Sequence, residues 1–90
     1  MTVSKRYLVS GKVQGVSFRY FAQRAAVHAG VSGWVRNLSD GRVEAAACGP
    51  ADRVQQFEQA LRTGPSGAHV SDVSAIVDAV SDTGTFVIRK

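Results

Sequence analysis

The sequence predicts an α+β domain: a split βαβ sandwich of order βαββαβ, with one antiparallel sheet, both helices on one face and a short extra C-terminal strand. Three observations carry this expectation. Apolar residues alternate at every second position near the N-terminus and again in the middle of the chain. In two other stretches they recur at spacings of three and four, the period of a helix with one buried face. Glycine, proline and a Ser-Asp-Gly cluster punctuate the boundaries between these stretches.

Residues 5–10 have strand chemistry, with Tyr7 and Val9 on one face and Arg6, Leu8 and Ser10 on the other. Gly11-Lys12-Val13-Gln14-Gly15-Val16-Ser17 breaks the alternation with two glycines. From Phe18 the apolar positions are Phe18, Phe21, Ala22, Ala25, Ala26 and Ala29, a helix of about three turns. Ser17 stands where an N-cap belongs and Gly30 where a left-handed residue ends a helix. Residues 31–37 form a second strand holding Trp34, Ser39-Asp40-Gly41 signals a hairpin turn, and residues 42–48 return with Val43, Ala45 and Ala47 on one face. After Gly49-Pro50, Asp52 suits the first turn of a second helix whose buried stripe is Val54, Phe57, Ala60 and Leu61. Gly64-Pro65-Ser66-Gly67 stops it; residues 70–80 form a fourth strand and residues 85–89 a short last one.

Two such halves in series give a ferredoxin-like sandwich, a single domain over residues 1–90. The first and second strands then run parallel across a right-handed crossover, with their C-terminal ends at the same edge. With one strand between them those ends lie about 10 Å apart. The 11–17 loop and Asn37 therefore face each other, as candidates for one site.

Composition narrows the classes. Of 90 residues, 44% are hydrophobic and 20% charged, the balance of a soluble globule. The longest apolar run, Ala45 to Cys48, is too short to span a bilayer, and the N-terminal apolar stretch is too short for a signal-peptide core. A lone cysteine, Cys48, allows neither an intrachain disulfide nor a cysteine metal cage. The expectation is a cytoplasmic monomer with no membrane partner. Charge is uneven: Lys5, Arg6, Lys12, Arg19, Arg24 and Arg36 precede the first acidic residue, Asp40, which points to an anionic ligand near the N-terminal half.

Counting then excludes several phosphate chemistries. There is no G-K-[ST] and no G-x-G-x-x-G. Val54 stands where a cysteine phosphatase built on Cys48 would need arginine. His28 and His69 have no partner at metal spacing and read as surface or helix-end residues; Cys48 reads as a small buried hydrophobe. What remains is residues 11–19. This stretch lacks proline, so every residue keeps a backbone N–H, and it runs directly into a helix start bearing Arg19. Those are the parts of an anion nest with a bidentate guanidinium beside it. On spacing alone, a plain strand-to-helix loop with a solvated arginine fits equally well.

Gly11-Lys12-Val13-Gln14-Gly15-Val16-Ser17-Phe18-Arg19 resembles the acylphosphatase signature G-x-V-Q-G-V-x-F-R. The similarity continues through Gly33-Trp34-Val35-Arg36-Asn37, Asp40-Gly41-Arg42-Val43-Glu44, Gly49-Pro50 and Phe86-Val87-Ile88-Arg89. The resemblance implies hydrolysis of acyl phosphates to a carboxylate and inorganic phosphate, without metal or cofactor. Carried over residue by residue, Arg19 binds the phosphoryl group, the amides of Gly15, Val16, Ser17 and Phe18 cradle it, and Asn37 positions the attacking water. The substrate is then a small acyl phosphate, with phosphate or sulfate as competing anions. Such a substrate brings a good leaving group, so positioning and charge stabilisation suffice. Three places depart from or fall outside the pattern: Ser17 at a variable position, the light strand Ala45-Ala46-Ala47, and residues 77–84, which match nothing in it.

Two rival readings remain open. One is an RNA- or anion-binding module using the open sheet face, for which Tyr7 would supply an aromatic, although no RNP-type string is present. The other is an inactive relative that binds acyl phosphates. Nucleic acid is the less favoured partner.

Overall fold

The computed structural model describes residues 1–80 and 83–90. Seven elements follow in order: β1 (Thr2–Lys12), α1 (Phe18–Ala29), β2 (Ser32–Asn37), β3 (Val43–Pro50), α2 (Ala51–Thr63), β4 (His69–Val77) and β5 (Phe86–Ile88). β1 outruns its expected ends because each neighbour extends it at a different end: Thr2–Val9 pair with β3 and Lys5–Lys12 with β4. Its last two residues pair only with β4, after a bulge between Ser10 and Gly11. At Gly11, with φ of 122°, a side chain would collide with the His69 carbonyl, so the bulge needs glycine.

The sheet order is β4-β1-β3-β2-β5. The first four strands are antiparallel neighbours, which puts β1 and β2 parallel with β3 between them. β5 departs from the all-antiparallel expectation by pairing in parallel with β2, so the five-stranded sheet is mixed. The reason is geometric. β4 ends opposite Lys5, Lys5 faces Ala47, and Ala47 faces Gly33 near the start of β2. A strand that crosses from there to the far edge must run the way β2 runs.

Parity decides which side chains meet the helices. Tyr7 and Val9 of β1, Val35 of β2, Val43, Ala45 and Ala47 of β3, Val73 of β4 and Phe86 of β5 are buried together with Ala22, Ala26 and Ala29 of α1 and Val54, Phe57 and Leu61 of α2. The rings of Tyr7 and Phe86 pack on Phe57, 5.9 and 5.4 Å between centroids. Phe21 and Ala60 are only half-buried; Phe21 packs its ring against Phe18 at the margin of the core. Gly30 ends α1 in the left-handed region, as expected. Ser17 precedes the helix as expected, but its side chain forms no capping bond, because its own backbone is left-handed. The fourth strand stops at Val77, and residues 81 and 82, within the unmatched 77–84 stretch, lie outside the described residues.

The opposite face carries Arg6, Glu44, Trp34 and Arg36. The Glu44 carboxylate, only 8% exposed, accepts from Arg6 Nη1 at 2.9 Å and from Arg36 Nε at 2.7 Å. Arg36 and Arg89 both lie against the Trp34 ring. The excess of positive charge in the first 39 residues is therefore not one field at one site. Arg6 and Arg36 are neutralised on this face, and Lys5 pairs with Glu58 of α2.

Candidate active site

Between β1 and α1 the backbone alternates in handedness. Gly15 has φ of 74°, Val16 returns to negative φ, and Ser17 has φ 59° and ψ 30° before the helix begins at Phe18. Ser17 is the one non-glycine residue with positive φ among the described residues, a conformation that costs a β-carbon-bearing residue about 1–3 kcal/mol. Alternation of this kind turns successive N–H groups toward one side, the arrangement that binds anions. The amides of Gly15, Val16, Ser17 and Phe18 donate to no carbonyl among the described residues. Nor does the first turn of α1 carry an acidic side chain, whereas α2 has Asp52 there. The positive end of α1 therefore meets no acidic side chain of its own first turn.

Asn37 ends β2 on the helix-bearing face, in register with Val43, which in turn faces Val9. Its Oδ1 is buried and accepts no hydrogen bond, a costly state for an amide oxygen unless a solvent or substrate donor meets it. The adjoining hairpin closes without its help. Leu38 N–H donates to the Arg42 carbonyl at 2.8 Å, Gly41 N–H to the Leu38 carbonyl at 3.3 Å, and the Asp40 carboxylate accepts from Arg42. The side chain of Asn37 is therefore not a turn cap.

Val13, Gln14, Gly15, Ser17, Phe18, Arg19, Tyr20 and Asn37 line one open depression of about 300 Å³. It unites Arg19, Asn37 and three of the four expected loop residues. The fourth, Val16, is half-buried against the core and leaves only its backbone to the loop. Arg19 is half-buried, and its Nη1 donates to the Arg89 carbonyl at 3.3 Å, so the C-terminal segment lies beside the site. Arg89 N–H in turn donates to the Val35 carbonyl, which ties that segment to β2.

Sequence reasoning missed three contributors. Tyr20, 62% exposed, stands at the mouth of the depression. Arg89 touches Arg19 through its main chain, which no side-chain pattern signals. Gln14 reaches from the loop to the hairpin, donating to the carbonyls of Leu38 at 2.7 Å and Arg42 at 2.9 Å. Its partners are main-chain carbonyls of another segment, so no side-chain pattern in the sequence signals the bridge.

The structure disfavours the nucleic-acid reading as framed. Tyr7 is fully buried beneath the helices and cannot offer its ring on the open face. Cys48 is buried and unpaired, while His28 and His69 are exposed, as expected.

The family model described as Acylphosphatase matches residues 5–88. An acylphosphatase from Azoarcus sp. is 48% identical over 86 residues, spanning 94% of this chain and 88% of that protein. Among solved structures, an acylphosphatase from Coxiella burnetii superposes with a TM-score of 0.93 at 40% identity, covering 98% of this chain and 93% of its own. The crystal structure of acylphosphatase from Bacillus subtilis superposes with a TM-score of 0.91 at 38% identity over the full length of both chains. No helix among the described residues is long and apolar enough to cross a membrane.

Proposed function

The chain belongs to the acylphosphatase family, hydrolases acting on acid anhydrides, and on that premise we propose that the depression between α1 and β2 is its active site. The observation that carries this reading is the convergence of unpaired loop amides, Arg19 and the unpartnered Asn37 Oδ1 on one depression. The amides of Gly15, Val16, Ser17 and Phe18 hold the phosphoryl oxygens, and the Arg19 guanidinium takes two of them at once. Asn37 Oδ1 accepts a hydrogen from the attacking water and holds it in line with the carboxylate leaving group. As the new P–O bond forms, the bond to the carboxylate breaks, and the water's proton passes to a phosphoryl oxygen. The carboxylate departs as the anion it prefers to be, so no acid is required of the protein. Charge that builds on the equatorial oxygens is met by groups already in place, with little reorganisation.

Every group invoked comes from one chain, which supports action as a monomer; with a small soluble acyl phosphate as substrate, the cytoplasm is the compartment in which we place it. The test is release of inorganic phosphate from acetyl phosphate in the presence of a chelator, with ¹⁸O-labelled water. Turnover should survive chelation and the label should appear in phosphate. Arg19→Lys should raise KM and lower kcat together, because the fork is lost in both ground and transition states. Asn37→Ala should lower kcat at least ~10²-fold, as for loss of one preorganised polar group, while phosphate inhibition and the thermal melt stay near wild type. Normal turnover in Asn37→Ala would sink this assignment.

A further inference from the structure

We propose that Gln14 is a positioning residue: its carboxamide is a crossbar that sets the separation between the phosphoryl group and the attacking water. The inference rests on the roles just given to the loop and to Asn37.

The backbone supplies no such link. The phosphate loop follows β1 and Asn37 ends β2, and these strands are not neighbours, since β3 lies between them. The β1–β3 ladder ends at Val9 with Val43, and the β2–β3 ladder ends at Asn37 with Val43. Beyond Val43 no strand joins the two halves of the site. There, Gln14 Nε2 donates to the Leu38 and Arg42 carbonyls, using both of its hydrogens. Gln14 immediately precedes Gly15, and Leu38 immediately follows Asn37. One amide nitrogen thus ties the first residue of the cradle to the residue behind the water holder.

The Asn37 side chain has no tether of its own, its Oδ1 being unpartnered. Its place is set by the backbone of residues 37 and 38, and so by whatever fixes Leu38. In-line attack is steep in distance, a misplacement of 1 Å costing about 10²-fold in rate. A merely structural Gln14 would hold the hairpin shut and affect stability, but its removal would not depend on whether Asn37 is present.

A double-mutant cycle on the full chain separates the two. Gln14→Met keeps the length and apolar stem of the side chain while removing both donors. It should lower kcat for acetyl phosphate by about tenfold or more, with inhibition by inorganic phosphate shifted by less than about twofold. In an Asn37→Ala background the same change should cost less than about twofold, because no positioned water remains to misplace. Equal losses in both backgrounds, or a phosphate affinity falling in step with kcat, would overturn the proposal while leaving the catalytic roles standing. Wild-type turnover in Asn37→Ala alone would instead remove those roles and this inference with them. Gln14→Glu provides a second reading should the methionine variant fail to fold. Its ionised carboxylate faces two carbonyls without a hydrogen, whereas its acid form can donate one. Its kcat relative to wild type should therefore recover as pH falls through the carboxyl pKa, and a flat ratio would also overturn the proposal.

Discussion

Phe57 is the place where the fold can be tested most sharply. Its side chain is fully buried, with the Tyr7 ring edge-on at 5.9 Å and the Phe86 ring tilted at 5.4 Å. One ring thus joins α2 to the interior strand β1 and to the edge strand β5. Phe57→Ala loses the transfer free energy of that ring and leaves a cavity whose walls belong to three elements, so collapse is restricted. The expected cost is about 3–5 kcal/mol, against a total of about 5–13 kcal/mol for a chain of this size. With a urea m-value of about 1–2 kcal/mol/M, the midpoint should fall by roughly 1.5–5 M. In a thermal melt the same loss should appear as a drop of about 15–30 °C. Trp34, the only tryptophan, lies on the opposite sheet face and reports global unfolding without touching the mutated site. Phe57→Leu should fall between the two proteins. At temperatures where the variant stays folded, kcat should be unchanged, because Phe57 does not line the depression. A Phe57→Ala protein unfolding at the wild-type urea midpoint would refute the packing described.

Two other outcomes follow from the electrostatics. Inorganic phosphate should inhibit competitively, with an affinity that weakens as ionic strength rises, since attraction in an open depression is screened; a salt series of inhibition constants checks this. Burial pushes the Glu44 carboxyl up, but the bonds from Arg6 and Arg36 outweigh it and hold its pKa below the usual glutamate value. Its contribution to stability is then present above the unfolded-state pKa of about 4.3 and lost as pH falls through the lower folded-state value. Urea unfolding of Glu44→Gln between pH 6 and pH 3 should accordingly show a shallower acid decline than wild type.

Sequence reasoning read the elements correctly where one face differs chemically from the other. Tyr7 and Val9 against Arg6 and Ser10 define both a strand and its buried side, and Val54, Phe57 and Leu61 do the same for α2. It could not see the direction of β5, because three residues carry no orientation and the answer depends on where β4 ends. It misassigned the Ser17 side chain because a serine before a helix looks the same in either backbone hand. Summed charge was misleading for a similar reason: Arg6 and Arg36 count toward the N-terminal excess, but strand parity turns them to the open face, where Glu44 waits. That Arg19 and Asn37 line one depression was legible through the parallel relation of β1 and β2. The bridge at Gln14 was not, since its partners are main-chain carbonyls in another segment.

The sheet order has a consequence for how the molecule is made. β1, synthesised first, takes one of its two partners from residues 69–77, with Lys12 against His69 and Lys5 against Val77. At a synthesis rate of ~5–20 residues per second, the 57 positions from residue 12 to residue 69 occupy roughly 3–11 s, during which that flank of β1 has no native neighbour. Pairings this distant in sequence are also slow to close once the chain is free. The strand on which both the 11–17 loop and the core depend is thus the one exposed longest during birth, and the nascent chain is the state in which this protein most needs protection from other strands.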